Sequence, residues 1–241
     1  MVLFIYSHES DHKRSNMGKI AHLRPFWAVI IVALFIVGYI AYPREAGPDD
    51  TDPNPTLTVD TVTDIDGNVY KTVKIGNQVW MIENLRTTRL NDGQIILYEP
   101  DNLDWANLRT PGYCWSNNDL SNKDDLGALY NWYAVDTGKL APIGWHVPTE
   151  DEWKILADAL GGESVAGDKL KEIGFTTCWA GQRTDDGTFN CFELEKYWTA
   201  SEGGWHPTDV YYRIITELEP ELTRSSHPKM AGHSVRCVKN N

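Results

Sequence analysis

The sequence predicts an α+β domain built on an antiparallel sheet and placed after one N-terminal transmembrane helix. Three observations carry this. Residues 25–42 form a charge-free apolar run. Hairpin signals appear between residues 64 and 82. Strand-forming segments return near the C-terminus after two helical ones, and strands, then helices, then strands is the order of an α+β fold.

The run PFWAVIIVALFIVGYIAY covers 18 residues, enough at about 1.5 Å per residue to cross most of a hydrocarbon core of about 30 Å. Phe26 and Trp27 at one end, and Tyr39 and Tyr42 at the other, suit the two membrane interfaces. Lys13, Arg14, Lys19 and Arg24 precede the run, whereas Arg44 is followed by Glu45, Asp49, Asp50 and Asp52. The positive-inside rule therefore leaves residues 1–24 as a short basic cytoplasmic segment and exports the chain beyond the run, to a periplasm or cell surface. The competing reading is a cleaved signal peptide with translation starting at Met17, although no A-x-A site succeeds the run. Both readings export the domain. Residues 43–55 are rich in Pro and Asp and read as an extended linker, which places the folded domain at 56–241.

Within the domain, Asp66-Gly67-Asn68 and Gly76-Asn77 each separate β-prone runs, as hairpin turns do. Residues 84–125 read as irregular. The spacing of Leu126, Leu129, Tyr130 and Tyr133 predicts a short helix over 126–135. The clearest local signal is VPTEDEWKILADALGG at 147–162. Thr149 can cap the helix, Glu152 can complete a capping box, and Gly161-Gly162 provides the stop. A second helix is predicted over 166–173, and strands over 197–201, 209–215 and 233–239.

Composition narrows the function. Net charge is -12, and the segment before the apolar run holds four basic against two acidic residues, so the exported part is more acidic still. Such a surface repels phosphate backbones and argues against a nucleic-acid partner. Ten tryptophans are present and only Trp27 lies in the apolar run, so the rest can build a core or line a groove. The four cysteines show no C-x-x-C spacing. An even count in an exported domain favours two disulfides, of which Cys178–Cys191 would close a local loop and Cys114–Cys237 would be long-range. Four buried thiols are the alternative.

The runs IDGNVYKTVKIGNQVWMIENLRTTRLNDG, YCWSNND, LGALYNWYAV, GWHVPTEDEWKIL, YWTAS and HSVRCVKN resemble, in order, the Fibrobacter succinogenes major paralogous domain. The resemblance covers about residues 64–239 and implies an exported bacterial protein of a family whose biochemical function is unassigned. VPTEDEW and HSVRCV are also similar to segments of formylglycine-generating enzymes. That more distant resemblance implies a C-type-lectin-like fold, with two short helices on a small twisted antiparallel sheet and long loops. Fold likeness does not carry function with it.

No residue is assigned catalysis. The cysteine pair of the formylglycine generators is absent, and His146 with Glu150 or Glu152, an acid–base pair by proximity in sequence, reads first as a strand-end histidine beside the capping Glu152. No H-x-x-x-H or H-E-x-x-H spacing supports zinc. The oxygen-rich stretch around Asp119, Asp124 and Asp125 is a weak calcium candidate that lacks an EF-hand frame, so no cofactor is expected. Trp179, Trp205, Tyr211 and Tyr212 are the candidate ligand-binding aromatics. The expectation is a membrane-anchored, non-catalytic module that binds a glycan or an envelope protein. An exported enzyme related to formylglycine-generating oxygenases and a structural envelope protein are the alternatives.

Overall fold

The computed structural model describes residues 60–175, 179–190 and 193–241. The apolar run and the linker lie outside the described residues, and among the described residues no helix is long and apolar enough to cross a membrane.

Three curled, largely antiparallel sheets make up the described part of the domain. The first is opened by the predicted hairpins. Strands β1 (Asp60–Thr63) and β2 (Val69–Ile75) join through a turn in which the Asp64 carboxylate accepts hydrogen bonds from the Asp66 and Asn68 backbone and from the Tyr70 hydroxyl. Gly76-Asn77 then turns β2 directly into β3 (Gln78–Met81), with Ile75 opposite Gln78.

The stretch read as irregular holds more order than its composition suggests. It contains β4 (Leu97–Tyr98), a one-and-a-half-turn helix α1 (Asn102–Asn107) capped by Asp101, β5 (Gly112–Trp115) and a short α2 (Lys123–Leu126). The helix expected at 126–135 is instead strand β6 (Ala128–Asn131) running into α3 (Trp132–Asp136). All four residues of β6 are buried, and β6 pairs with β5 on one side. Asn131 ends the strand and caps α3 through the Ala134 N–H.

After β7 (Trp145–His146) comes α4 (Glu150–Ala159), with the capping box in place. Thr149 Oγ1 accepts from Glu152 N at 3.3 Å, and Glu152 Oε2 accepts from Thr149 N at 2.8 Å. Helix α5 (Glu163–Glu172) starts three residues before its expected position. Then come β8 (Gln182–Arg183), β9 (Phe189–Asn190), β10 (Leu194–Glu202), β11 (Asp209–Thr216) and β12 (Thr223–Pro228). The last expected strand is broken into β13 (Gly232–His233) and β14 (Val238–Lys239). Its middle crosses between sheets: Ser234 bonds the backbone of β10, while Val235 and Cys237 carbonyls accept from Leu85 and Met81.

Strand order is β1-β2-β3-β14-β7 in one sheet, β4-β5-β6-β13-β8-β9 in the second and β10-β11-β12 in the third. Among the described strands, β4 and β5 pair in parallel, and isolated parallel bridges join Gly181 to Glu195 and Tyr197 to Ser234. The alternation of β10 divides the core: Trp198 joins Tyr70, Tyr130, Trp132 and Tyr212, whereas Tyr197 joins Trp80, Trp153, Leu156 and Phe175 on the other face.

Cys114 and Cys237 are not bridged. Both are buried free thiols, which corrects the long-range disulfide expected from the sequence. Cys114 packs with Trp105, Leu129 and Ala180, whereas Cys237 packs in the cluster around Tyr70 and Tyr130, so the two serve different parts of the core. Burial pushes the Cys114 thiol up to about 12 and raises that of Cys237 as well, the opposite of what a reactive thiolate needs. Cys178 and Cys191 lie outside the described residues.

Candidate functional site

The third sheet and the starts of α4 and α5 build a charged groove. Along β11, Tyr211 and Arg213 face one side, and Tyr212 faces the other. Register places Arg213 opposite Arg224 and Tyr211 opposite Ser226 of β12. Two arginines face to face repel unless an anion stands between them. Glu150, in the first turn of α4, supplies it. Its carboxylate takes Arg213 Nη2 at 2.9 Å and Nε at 3.2 Å, a two-point fork, and lies 3.8 Å from Arg224 Nη1. Glu163, at the start of α5, takes Arg213 Nη1 at 2.5 Å.

Each Arg213 nitrogen is thus engaged and the side chain is only 3 % exposed, while Glu150 is 12 % exposed and Glu163 about half exposed. Burial is the largest influence on Glu150 and raises its pKa, with Arg213 and Arg224 pulling the other way. In front of this ionic floor lies a cavity of about 650 Å³, lined also by Asp151, Lys154, Ser164, Glu221 and Thr223.

Arg224 also borders a second cavity of about 250 Å³, with Gly204, Trp205, Tyr211 and Ser225. The guanidinium of Arg224 lies 4.8 Å over the Tyr211 ring. Gly203 and Gly204, at φ of +135° and +153°, turn the β10–β11 connection where no side chain fits. A Cβ on Gly203 would sit 2.5 Å from the Tyr211 ring, and one on Gly204 2.5 Å from Ser226. The next residue, Trp205, is held by its backbone N–H on Ser226 Oγ at 3.2 Å, and Ser226 in turn donates to Asp209 at 3.1 Å. Its side chain points out: Trp205 is 85 % exposed. Of the other tryptophans among the described residues, six are buried, and Trp145 and Trp179 are half-buried.

Of the four aromatics expected to bind ligand, the structure therefore brings Trp205 and Tyr211 together. Tyr212 is buried on the opposite face against Trp198 and His233. Trp179 packs on the second core cluster. Sequence reading missed Arg213, Glu163 and Arg224, and met Glu150 only as an acid–base candidate beside His146. The one signal for them was a charged residue inside DVYYRII, at a position whose neighbours are apolar.

Of the calcium candidates, Asp119 and Asp124 make local contacts, and Asp125 lies exposed in α2. Asp119 caps a turn through Ser121 N and Oγ, and Asp124 pairs loosely with Arg86 at 3.7 Å. Among the described residues, no three His, Cys, Asp or Glu side chains converge as a metal site would require. His146 Nε2 does reach Glu152 Oε1 at 2.7 Å, but the other Glu152 oxygen is taken by the capping box. Burial opposes ionisation of Glu152 most strongly, yet the Thr149 and His146 hydrogen bonds together hold its pKa below the usual value.

A second buried carboxylate stands apart from the groove. Glu195, fully buried on β10, accepts from Ala180 N and Asn84 Nδ2, both at 2.7 Å. Burial lifts its pKa from 4.5 to about 7, against the pull of these bonds and of Arg236. An acid raised in the fold stays protonated while the unfolded chain ionises. Its stabilisation is therefore full below the unfolded value and lost as pH rises through the folded one. Urea melts across about pH 4.5 to 7.5 should show the wild type losing on the order of 3 kcal/mol relative to Glu195→Gln, which lacks this slope. A parallel pH dependence in both proteins would contradict the assignment.

Curled antiparallel sheets with a few short helices and long connections define a mixed α+β domain with a groove on its third sheet. The chain belongs to the Fibrobacter succinogenes major domain family, whose sequence profile matches residues 73–239. That span runs from within β2 to the end of β14 and includes every residue of the groove. No curated protein and no solved structure matches the chain.

Proposed function

We propose that the domain is a non-catalytic binding module that takes a glycan in the groove formed by Trp205, Tyr211, Arg224 and the Glu150–Arg213–Glu163 floor. One observation carries the reading: a tryptophan fixed by two glycines and a backbone hydrogen bond, yet 85 % exposed, beside a cavity bordered by Tyr211 and Arg224. Indole faces stack on the apolar faces of sugar rings, and carboxylates and guanidinium groups along the groove can bond hydroxyls. The charges on the floor neutralise one another, which suits a polar ligand more than a strongly charged one. The likeness of VPTEDEW and HSVRCV to lectin-like proteins, and two helices beside a curled sheet with long loops, support a C-type-lectin-like relationship. The apolar run at 25–42, flanked by cations on one side and acids on the other, supports a membrane anchor that holds the domain outside the cytoplasm.

The test is a glycan array alongside an envelope pull-down, using the full chain in detergent and its Trp205→Ala variant. Glycan stacking in the groove requires retention of one glycan class by the wild type and at least a tenfold loss in Trp205→Ala, with unchanged melting temperature because the side chain is exposed. Retention of an envelope protein and no glycan would move the ligand to protein. Glycan binding that survives Trp205→Ala would rule the groove out as the binding site.

A further inference from the structure

The β10–β11 connection that carries Trp205 also borders a third cavity, of about 520 Å³, whose lining includes Arg109, Tyr133, Pro207, Thr208, Pro228 and Lys229. Among the described residues, no carboxylate lines it. The cavity follows on from the groove along the same two segments. Arg224, Ser226 and Pro228 alternate along β12 and share one face. Arg224 borders the groove, Ser226 holds the Trp205 backbone, and Pro228 lines the third cavity. At about 3.3 Å per residue, Ser226 and Pro228 lie about 7 Å apart. The β10–β11 connection steps the same way, from Trp205 beside the groove to Pro207 and Thr208 in the cavity.

Its two cations are placed but not used up. Arg109 is exposed, and its Nη1 donates to the Ala106 and Leu108 carbonyls at 2.9 and 3.0 Å. Among the described residues, its Nε and Nη2 make no hydrogen bond and no carboxylate pairs with it. Nε with Nη2 is the edge by which Arg213 forks Glu150, and two such N–H groups match a carboxylate. Lys229 Nζ lies 4.5 Å over the Trp132 ring and 2.5 Å from Glu202 Oε1, which fixes it and leaves two further N–H groups. Glu202 is 67 % exposed and hydrated, so it offsets Lys229 only weakly. Arg109 and Lys229 against Glu202 leave one net positive charge, which suits a ligand with a single anionic group. A polyanion would be repelled by a chain of net charge -12. Resting on the reading of the groove as a glycan site, we propose that the glycan is acidic: one sugar stacks on Trp205, and the carboxylate of a neighbouring uronic acid is held by Arg109 and Lys229.

The experiment is calorimetry of the full chain in detergent with oligosaccharides ending in glucuronate or galacturonate, each beside its carboxyl-reduced counterpart. The expected result is saturable binding of at least one uronate-bearing oligosaccharide, about tenfold or more tighter than its reduced counterpart. Arg109→Gln with Lys229→Gln should erase that ratio, with the unliganded melting temperature as the check on folding. Because Lys229 also packs on Trp132, the exposed Arg109→Gln alone carries the test if the double variant unfolds. Arg109→Lys keeps the charge but loses the fork, and should restore only part of the preference. Trp205→Ala should weaken the acidic oligosaccharide and its reduced counterpart alike and leave their ratio standing. Equal affinity for the two in the wild type would overturn this proposal while leaving the groove reading intact. A uronate preference that persists in the Arg109 variants, or no saturable binding of any uronate-bearing oligosaccharide, would also overturn it. Uronate binding lost in Arg109→Gln but untouched by Trp205→Ala would overturn the groove reading and uphold the place of the uronate at Arg109.

Discussion

Replacing Arg213 with alanine is expected to destabilise the domain by about 3 to 5 kcal/mol, the usual cost of removing one partner from a buried ion pair. In a domain of this size that lowers the melting temperature by on the order of 10 °C. The reason is the charge that the substitution leaves behind. Glu150 is 12 % exposed and anchored at the start of α4, so its carboxylate cannot swing into water when the fork at 2.9 and 3.2 Å disappears. Glu163 is half exposed and can hydrate, so it adds little. Glu150→Gln in the Arg213→Ala background should therefore recover part of the loss, by removing the stranded charge. A loss below about 1 kcal/mol, or no recovery in the double variant, would show that the ionic floor does not hold α4 and β11 together.

Trp153→Ala is expected to cost a similar amount, about 3 to 5 kcal/mol, through the cavity it opens. Trp153 sits at the centre of the second core cluster, with ring centroids 4.8 Å from Trp80, 5.6 Å from Tyr197 and 6.0 Å from Phe175. These rings come from β3, α4, β10 and the segment after α5, so one side chain ties a hairpin and a helix to the third sheet. Its indole nitrogen has no hydrogen-bond partner, so Trp153→Phe removes volume but strands no polar partner, and should cost less than half as much. Chemical denaturation of both variants checks this; equal losses would mean that ring packing is not what holds the site.

The parts of the fold that were legible are those decided by a few adjacent residues. Both hairpin turns and the capping box of α4 depend on neighbours within six positions, and the sequence carries them openly. The parts that were not legible are decided by distant partners. LGALYNWYAV has helical spacing, yet Ala128–Asn131 lies between β5 and β13, and pairing on both sides overrides the spacing. TRSSHP carries no strand signal because β12 is an edge strand that pairs with β11 alone. HSVRCVK alternates like one strand but is used as a bridge between sheets. The cysteine reading failed at Cys114 and Cys237 because an even count says nothing about distance.

The site divides in the same way. Trp205, one of the four candidate aromatics, lies in GGWHP, where two glycines and a proline keep it out of regular structure and leave it exposed. Tyr211 and Tyr212 could not be told apart without the phase of β11, which puts one on the groove and the other in the core. The ionic floor unites residues 150, 163, 213 and 224, and only the β11–β12 register and the placement of two helix starts bring them together.

The most direct test of glycan binding at Trp205 is fluorine NMR on the full chain labelled with 5-fluorotryptophan, titrated with the glycans that the array retains. Trp205 is assigned by its loss from the spectrum of Trp205→Ala. Stacking of a sugar on the exposed indole predicts that the Trp205 resonance shifts saturably while those of buried Trp80, Trp132, Trp153 and Trp198 stay in place. Saturable binding with an unmoved Trp205 resonance would contradict it.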